Sequence, residues 1–342
     1  MILFGTSSGD FGGIQRVCRH IRRILKRQDI AFREVIYKPE GGWFSKMKSR
    51  LKFTTIVRDY IQRDGLLLFS HINLLKALSD ERIKARVAVL VHGIELDTQL
   101  PVDTYRLLNK ADYIFCNSKF TEQRVGKMVV NGDIRQVYYP GLNPDEFPHV
   151  KRQESAAPLV LMVGRMASTE RYKGHQQVLE AWPQVIARHS SARLVFAGSG
   201  DDIDYLKKKA AKLEIQDSVE FRLQPGDDEL AELYAQSWLK VLPSTREGQG
   251  LVFTEAMGFG VPVLALAKTV AEEFIDHREN GLLAGSRNAH ELAEHISFAI
   301  KNSDWRKQAG IKALDKVKEL DLHKKFESEL LSIIREDVEC VG

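Results

Sequence analysis

Short apolar runs alternate with helix-patterned stretches twice along the chain, and that alternation limits the possible folds more than any other feature. The first series comprises Met1 to Thr6, Phe32 to Tyr37, Gly65 to Ser70, Val87 to His92 and Tyr113 to Asn117. The second comprises Pro158 to Gly164, Arg193 to Gly198, Ser218 to Leu223, Leu239 to Pro243 and Pro262 to Ala265, with helical patterns such as His175 to His189 and Asp202 to Leu213 between them. Strands separated by helices cannot pair as hairpins, so each series implies a parallel sheet with helices packed on its faces. Between the two lies Pro140 to Pro158 (PGLNPDEFPHVKRQESAAP), which holds four of the 10 prolines and no apolar period, and reads as a connection. From Ala289 to Glu336 apolar residues recur at helical spacing with no strand candidate, so helices close the chain. The expected architecture is α/β, with two Rossmann-like doubly wound domains facing a cleft. Residues 1–150 form the first domain, 151–320 the second, and a closing helix in 321–342 packs back on the first. Open sheets of this kind bind ligands beyond the C-terminal ends of their strands.

Several classes of protein are disfavoured. The longest apolar runs, such as Arg86 to Val91 (RVAVLV), fall far short of the roughly 20 residues that cross a bilayer. The opening Met-Ile-Leu-Phe-Gly-Thr reads as a strand entering a glycine turn, without the pattern of a secretory leader. Cys18, Cys116 and Cys340 are widely spaced with no C-x-x-C, which suggests a reduced cytoplasmic setting and no structural zinc. Charge is uneven: residues 1–150 carry 24 Lys and Arg against 16 Asp and Glu, whereas the remainder is net acidic. The basic excess falls on Arg16, Arg19, Arg22, Arg23, Lys26 and Arg27, and on Lys46, Lys48, Arg50 and Lys52. The last four are interleaved with Trp43, Phe44, Met47, Leu51 and Phe53. That mixture suits peripheral contact with an anionic membrane; a solvated helix face, with Trp43 and Phe44 in the core, is the alternative. Basic and aromatic residues gathered in one segment, rather than along a groove, make nucleic acid an unexpected partner.

The densest chemical signal is the block Pro243 to Ala265 (PSTREGQGLVFTEAMGFGVPVLA). A helix starting near Gly250 places Glu247 on the loop before it and Glu255 about one and a half turns in. Unpaired amides and the positive end of the dipole at such a start attract phosphate. Gly248 and Gly250 allow close backbone approach, and the two carboxylates are suited to accepting hydrogen bonds from sugar hydroxyls. Gly12-Gly13, after the first strand, opens a second helix at Ile14, although a glycine pair alone is also what a flexible turn requires. Arg165 and Lys173, taken alone, are ordinary surface residues, and His92 at a strand end is ordinarily structural.

The Glu-Gly-x-Gly-Leu start and Glu-Ala-Met-x-x-Gly-x-Pro-Val finish of this block resemble the signature of family 4 retaining glycosyltransferases of GT-B fold. Val163-Gly164-Arg165 followed by Lys173-Gly174 resembles that family's basic pair. The resemblance covers nearly the whole chain, and extends to Asn117-Ser118, Val137 to Phe147, Glu273 and Asn280-Gly281. It implies that Arg165 and Lys173 hold the leaving diphosphate together with the amides of Gly250 and Leu251, with Gly164 and Gly248 lining the same site. It further implies that Glu255 binds the ribose, Glu247 a hydroxyl of the donor sugar, and His92 the site beside that sugar, while Gly12 and Gly13 close over the diphosphate. Pro140 in place of asparagine, Gln249 in place of an aromatic, and Lys268 to Glu273 (KTVAEE) without a glycine pair depart from the pattern.

The activity so implied is transfer of a hexose from a UDP- or GDP-sugar to a saccharide acceptor, with retention of configuration, catalytic groups His92, Arg165, Lys173 and Glu247, and no cofactor or metal. The acceptor expected is a lipid-linked intermediate of bacterial surface-polysaccharide synthesis, handled by a cytoplasmic protein at the inner face of the membrane. A non-catalytic sugar-nucleotide-binding protein of the same fold is the alternative. Asp202-Ile-Asp204 matches the metal-binding Asp-x-Asp of the other large glycosyltransferase fold, but opens a lysine-rich helix, where acidic residues act as caps.

Overall fold

The structure is a computed structural model that describes residues 2–7, 12–38, 42–78, 82–97, 100–130, 132–142 and 150–339. The chain divides into two compact units, Met1–Pro140 with Leu322–Gly342, and Gly141–Asp321. Cys340 and most of the Pro140 to Phe147 part of the connection lie outside the described residues.

The first unit holds β1 (Ile2–Ser7), β2 (Phe32–Tyr37), β3 (Leu66–Phe69), β4 (Arg86–Val91), β5 (Tyr113–Cys116) and β6 (Asp133–Gln136), all parallel, in the order β2-β1-β3-β4-β5-β6. Helices α1 (Gly13–Arg27), α2 (Trp43–Ile61), α3 (Val102–Leu108) and α4 (Lys119–Gly126) connect them. The central strand β3, Leu-Leu-Leu-Phe, is buried at every position, as a strand covered on both faces must be. Helix α11 (Leu322–Glu339) belongs to this unit. Phe326, Leu330 and Ile333, spaced on one helical stripe, are buried. Glu327 pairs with Arg27, Tyr113 Oη donates to Glu336 at 2.7 Å, and Arg135 donates to Ser332 Oγ at 2.6 Å.

The second unit holds β7 (Leu159–Val163), β8 (Arg193–Gly198), β9 (Val219–Leu223), β10 (Leu239–Leu242), β11 (Val263–Leu266) and β12 (Gly281–Ala284), again all parallel, in the order β12-β11-β10-β7-β8-β9. Its helices are α5 (His175–Arg188), α6 (Ile203–Lys212), α7 (Asp227–Gln236), α8 (Leu251–Gly258), α9 (Ala289–Lys301) and α10 (Ser303–Leu320). Both sheets are therefore doubly wound, and strand order reverses once in each, between β1 and β3 and between β7 and β10.

Ten of the twelve strands among the described residues coincide with the apolar runs read from the sequence. The exceptions are β6, a polar edge strand (Asp-Ile-Arg-Gln) with no core-facing run to betray it, and β12, whose Gly281 lies so close to β11 that an added Cβ would meet Val263 O at 2.5 Å. Cys18 and Cys116 are free, and burial pushes their thiols up to about 11 and about 12, so neither is a ready nucleophile. Among the described residues no helix is long and apolar enough to cross a membrane.

Candidate functional site

The reversal between β7 and β10 puts two loops side by side: Gly164 onward after β7, and Pro243 to Gly250 after β10. Gly198 and Gly200, both at left-handed φ (152° and 151°), let the loop after β8 lie directly against the first of these. A Cβ at Gly198 would meet Gly164 O at 2.1 Å, and one at Gly200 would meet Met166 O at 2.0 Å. Gly174 performs the same service on the other side: its φ is 91°, and a Cβ would stand 2.7 Å from Pro243 Cγ. Thr245 N donates to Tyr172 O at 3.1 Å, which ties the short 3₁₀ turn Ser168–Lys173 to the loop after β10.

These close approaches bring together residues far apart in sequence. Lys173 Nζ lies 3.0 Å from Glu247 Oε1 and 3.8 Å from Glu170 Oε2, while Arg165 pairs with Glu170. The result is an alternating chain Arg165, Glu170, Lys173, Glu247. Lys173 and Glu247 are nearly buried, with side chains 12% and 10% exposed, whereas Arg165 is open to solvent. Burial alone would lower the Lys173 pKa; Glu247, then Tyr172 and Glu170, outweigh it and hold the group above the ordinary lysine value. Lys173 is thus a fixed cation. Glu170 escaped the sequence reading, since a glutamate in a charged turn (STERYK) carries no distinguishing pattern.

Helix α8 begins where the sequence placed it. Gly250, in the left-handed region at φ 70°, precedes its first residue Leu251, and a Cβ there would strike the Phe253 ring at 2.5 Å. No side chain caps this end and no acid occupies its first turn, so its leading amides remain available to an anion. Gly248 is buried beside it. Glu255, the fifth residue of α8, is fully buried. Its Oε2 accepts from Tyr234 Oη at 3.0 Å, and its Oε1 from Leu142 N at 3.3 Å. Gly141 is packed so closely that a Cβ would come within 2.6 Å of Glu255 Cγ. Glu255 is therefore already engaged by the protein, through partners that its spacing from Glu247 gave no hint of.

In the first unit, Gly12 sits at φ 131° and precedes α1, which starts at Gly13 with neither a side-chain cap nor an acid in its first turn. His92 follows β4; its Nε2 donates to Ser70 O at 2.7 Å. Its ring stacks on His71 at 5.8 Å and meets Tyr139 edge-on at 5.2 Å. Asn117 Nδ2 donates to His92 O at 2.9 Å, and Ser118 caps α4 by accepting from Thr121 N at 3.0 Å. Asn280 closes a turn, donating to Phe274 O at 3.0 Å and accepting from Asp276 N at 2.9 Å.

One sequence expectation needs correction. Asp202 precedes α6 but makes no side-chain cap; its carboxylate instead takes Arg171 at 2.7 Å, and Asp201 accepts from Ser168 Oγ at 2.7 Å. The arginine offers a charge-assisted bond stronger than a cap, and binds the turn before α5 to the start of α6.

Two doubly wound parallel sheets, the second with cations and a bare helix start at its reversal point, define the GT-B class. The chain belongs to the group 1 glycosyl transferases, whose family model matches residues 145–316. It is 33% identical over 146 residues to an uncharacterized glycosyltransferase of Haemophilus influenzae, covering 42% of this chain and 40% of that one. It is 27% identical over 244 residues to a GDP-mannose-dependent alpha-(1-6)-phosphatidylinositol monomannoside mannosyltransferase of Mycobacterium tuberculosis, covering 64% and 62%. The chain thus spans less than two thirds of the length of these relatives. Among solved structures, Anabaena Alr3699/HepE in complex with UDP and glucose superposes with a TM-score of 0.75 at 18% identity, over 97% of this chain and 99% of that one. The sucrose-phosphate synthase of Thermosynechococcus elongatus superposes with a TM-score of 0.81 at 18% identity over 100% of both. At such identity the likeness establishes the fold.

Proposed function

We propose that the chain is a retaining, metal-independent hexosyltransferase that draws on a UDP- or GDP-sugar, with the diphosphate lodged against Arg165, Lys173 and the start of α8. The observation that carries this reading is the Lys173–Glu247 pair at the β7/β10 reversal, with its loops held by three glycine-enforced contacts, at Gly174, Gly198 and Gly200, beside an uncapped helix. A departing nucleoside diphosphate concentrates negative charge, and fixed cations plus amides aimed at it lower the barrier more than flexible ones could. These groups offset the negative charge on the diphosphate that a divalent metal would otherwise neutralise. Glu247, oriented by Lys173, then accepts from a hydroxyl of the sugar, and Glu255 serves the ribose by exchanging the Leu142 amide for a ribose hydroxyl. Family resemblance assigns His92 to the donor sugar and the Gly12-Gly13 turn to the diphosphate.

Transfer proceeds on one face: the acceptor oxygen bonds to the anomeric carbon as the bond to phosphate breaks, and the departing phosphate oxygen takes the acceptor's proton. The decisive experiment follows UDP and GDP release with a panel of sugar nucleotides in EDTA, with the product's anomeric coupling read by NMR. Turnover with a retained anomer supports the reading. Dependence on added Mn²⁺ or an inverted product refutes the corresponding part, and nucleotide binding without release under every condition leaves a sugar-nucleotide-binding protein.

For the acceptor we infer a lipid-linked saccharide presented at an anionic membrane surface. Trp43, Phe44, Met47 and Leu51 on α2 are 68%, 76%, 40% and 61% exposed, whereas Phe53, further along, is buried. At about 100° per residue those four fall on one narrow stripe, with Lys46 and Arg50 along one flank and Lys48 and Lys52 along the other. No acidic residue interrupts Trp43 to Arg58. An apolar stripe between two basic flanks suits the boundary between headgroup and acyl chain. The names of two relatives, the mannosyltransferase above and the alpha-monoglucosyldiacylglycerol synthase of Streptococcus pneumoniae, support an acceptor of this kind. Flotation on vesicles with and without phosphatidylglycerol tests it; equal recovery would remove the electrostatic part.

A further inference from the structure

A buried ionisable side chain near the site, Lys240, has no part in the chemistry proposed above. Lys240 stands in the middle of β10, opposite Leu161 on β7 and Val263 on β11, where its neighbours Leu239, Val241 and Leu242 are apolar. It is fully buried, and its Nζ has no hydrogen-bond partner among the described residues. The amine lies 4.6 Å from the centre of the Phe253 ring, the same ring that a Cβ on Gly250 would strike. Lys240 is therefore lodged beneath the start of α8, under the place where the diphosphate is expected.

The charged groups facing it come from every side of that place: Glu247 on the loop after β10, Lys173 at the end of the 3₁₀ turn, and Glu255 on α8. His175, at the start of α5, feels both Lys173 and Lys240. An ammonium without a partner in this setting is costly, so burial pushes the group well below the ordinary lysine value, with Glu247 pulling the other way and Lys173 lowering it again. Among the described residues Glu247 is paired with one cation, Lys173 at 3.0 Å. A bound diphosphate changes both terms at once, because it competes for Lys173 and adds negative charge above the Phe253 ring.

We propose that Lys240 is a positioning residue that takes up a proton when a nucleoside diphosphate occupies the site, supplying Glu247 with the positive charge that Lys173 turns toward the ligand. The step is a simple protonation: the amine lone pair binds a proton from solvent on nucleotide binding and returns it on release. Glu247 then keeps its orientation while Lys173 serves the phosphate. The inference rests on the donor-site reading above, and concerns a residue that contacts neither sugar nor phosphate.

The test is calorimetric titration of UDP and of GDP into the intact protein at about pH 8, above the ~6 at which a terminal phosphate loses its last proton. Tris and phosphate buffers, which differ widely in ionisation enthalpy, give the number of protons exchanged. The wild-type protein is expected to take up a substantial fraction of one proton per nucleotide, and Lys240→Met none while still binding. Methionine has a similar length and no amine to desolvate, so this variant is expected to fold, with thermal unfolding as the check. Independently of any variant, the ¹³Cε resonance of Lys240 in lysine-labelled protein should move from its neutral to its charged position as nucleotide is added. Equal uptake in both proteins, or a resonance that stays in place while nucleotide binds, overturns the proposal alone. Absence of binding by either nucleotide overturns the donor-site reading and the proposal with it.

Discussion

The two units use the same parallel-sheet plan and place their charge in opposite ways. In the second unit, cations and carboxylates are drawn inward to the strand ends and paired: Lys173 and Glu247 are nearly buried at 3.0 Å. In the first unit the basic excess lies outward, on α2, where lysines flank exposed tryptophan and phenylalanine. The strand ends of its sheet instead hold His71 and His92 stacked together, with His92 on the Ser70 carbonyl. An ion pair removed from water is held in fixed geometry and interacts strongly, whereas solvated lysines act only at short range and weaken with salt. The inward arrangement suits a reacting group and the outward one suits a surface.

The largest expected effect separates these two kinds of charge. Lys173→Ala should lower kcat by about 10²- to 10³-fold, the range found when one charge-stabilising donor is removed. Lys48→Ala with Lys52→Ala should leave kcat on a soluble acceptor unchanged. Steady-state nucleotide release measures both, and a reversed order would break the contrast. Because Lys173 also holds Glu247, Lys173→Arg is a sharper probe. It keeps the charge but changes its shape, so a loss nearly as large would mean that orientation of Glu247 matters as much as charge.

A smaller effect is expected at the surface. Trp43→Ser with Phe44→Ser should weaken binding to phosphatidylglycerol vesicles by at least about tenfold, since burying one such ring is worth roughly 1.5–3 kcal/mol. Release of nucleotide with a soluble acceptor should be unaffected. If vesicle binding persists at wild-type strength, α2 is only a solvated helix and the outward charge has no lipid partner.

How much of this was readable in advance depended on whether a feature is periodic. Apolar strands announce themselves by length and spacing, which is why ten were found and why β6, polar along its length, was not. The start of α8 was readable because Gly248 and Gly250 interrupt a pattern at a fixed distance from Glu247. Glu170 and Lys240 were not readable. A glutamate in a turn is unremarkable until Arg165 and Lys173 are found on either side of it, and a lysine within an apolar strand tells nothing about where its amine ends. The burial of Glu255 depends on Tyr234 and Leu142, partners set by tertiary contact. The exposure of Trp43 and Phe44 was open for the same reason: a stripe on a helix is defined by spacing, but what covers it is not.

Acid titration offers the subtlest comparison, since the second unit buries a histidine, His175, and the first half-buries one, His20. Burial, then the Lys173 charge, lowers His175 from 6.5 to about 3; burial, then His323 and Arg23, lowers His20 to about 4. In both cases the unfolded chain binds the proton first. Stability from these neutral rings is therefore complete above about 6.5 and is lost as pH falls toward the folded value. For His175 the slope is at most about 1.4 kcal/mol per pH unit, one proton's worth. His175 Nε2 has no hydrogen-bond partner among the described residues, and the ring meets Phe196 edge-on at 5.3 Å, so phenylalanine can take its place without stranding a polar atom. Urea unfolding between about pH 6.5 and 4.5 should show a shallower loss of stability for His175→Phe than for the wild type. His20→Phe should flatten the acid limb of the first unit instead, if the units unfold in separate transitions. An unchanged slope for His175→Phe would mean that the ring already carries a proton in the folded chain, and the cluster of buried charge beneath α8 would then have to be redrawn with one more cation in it.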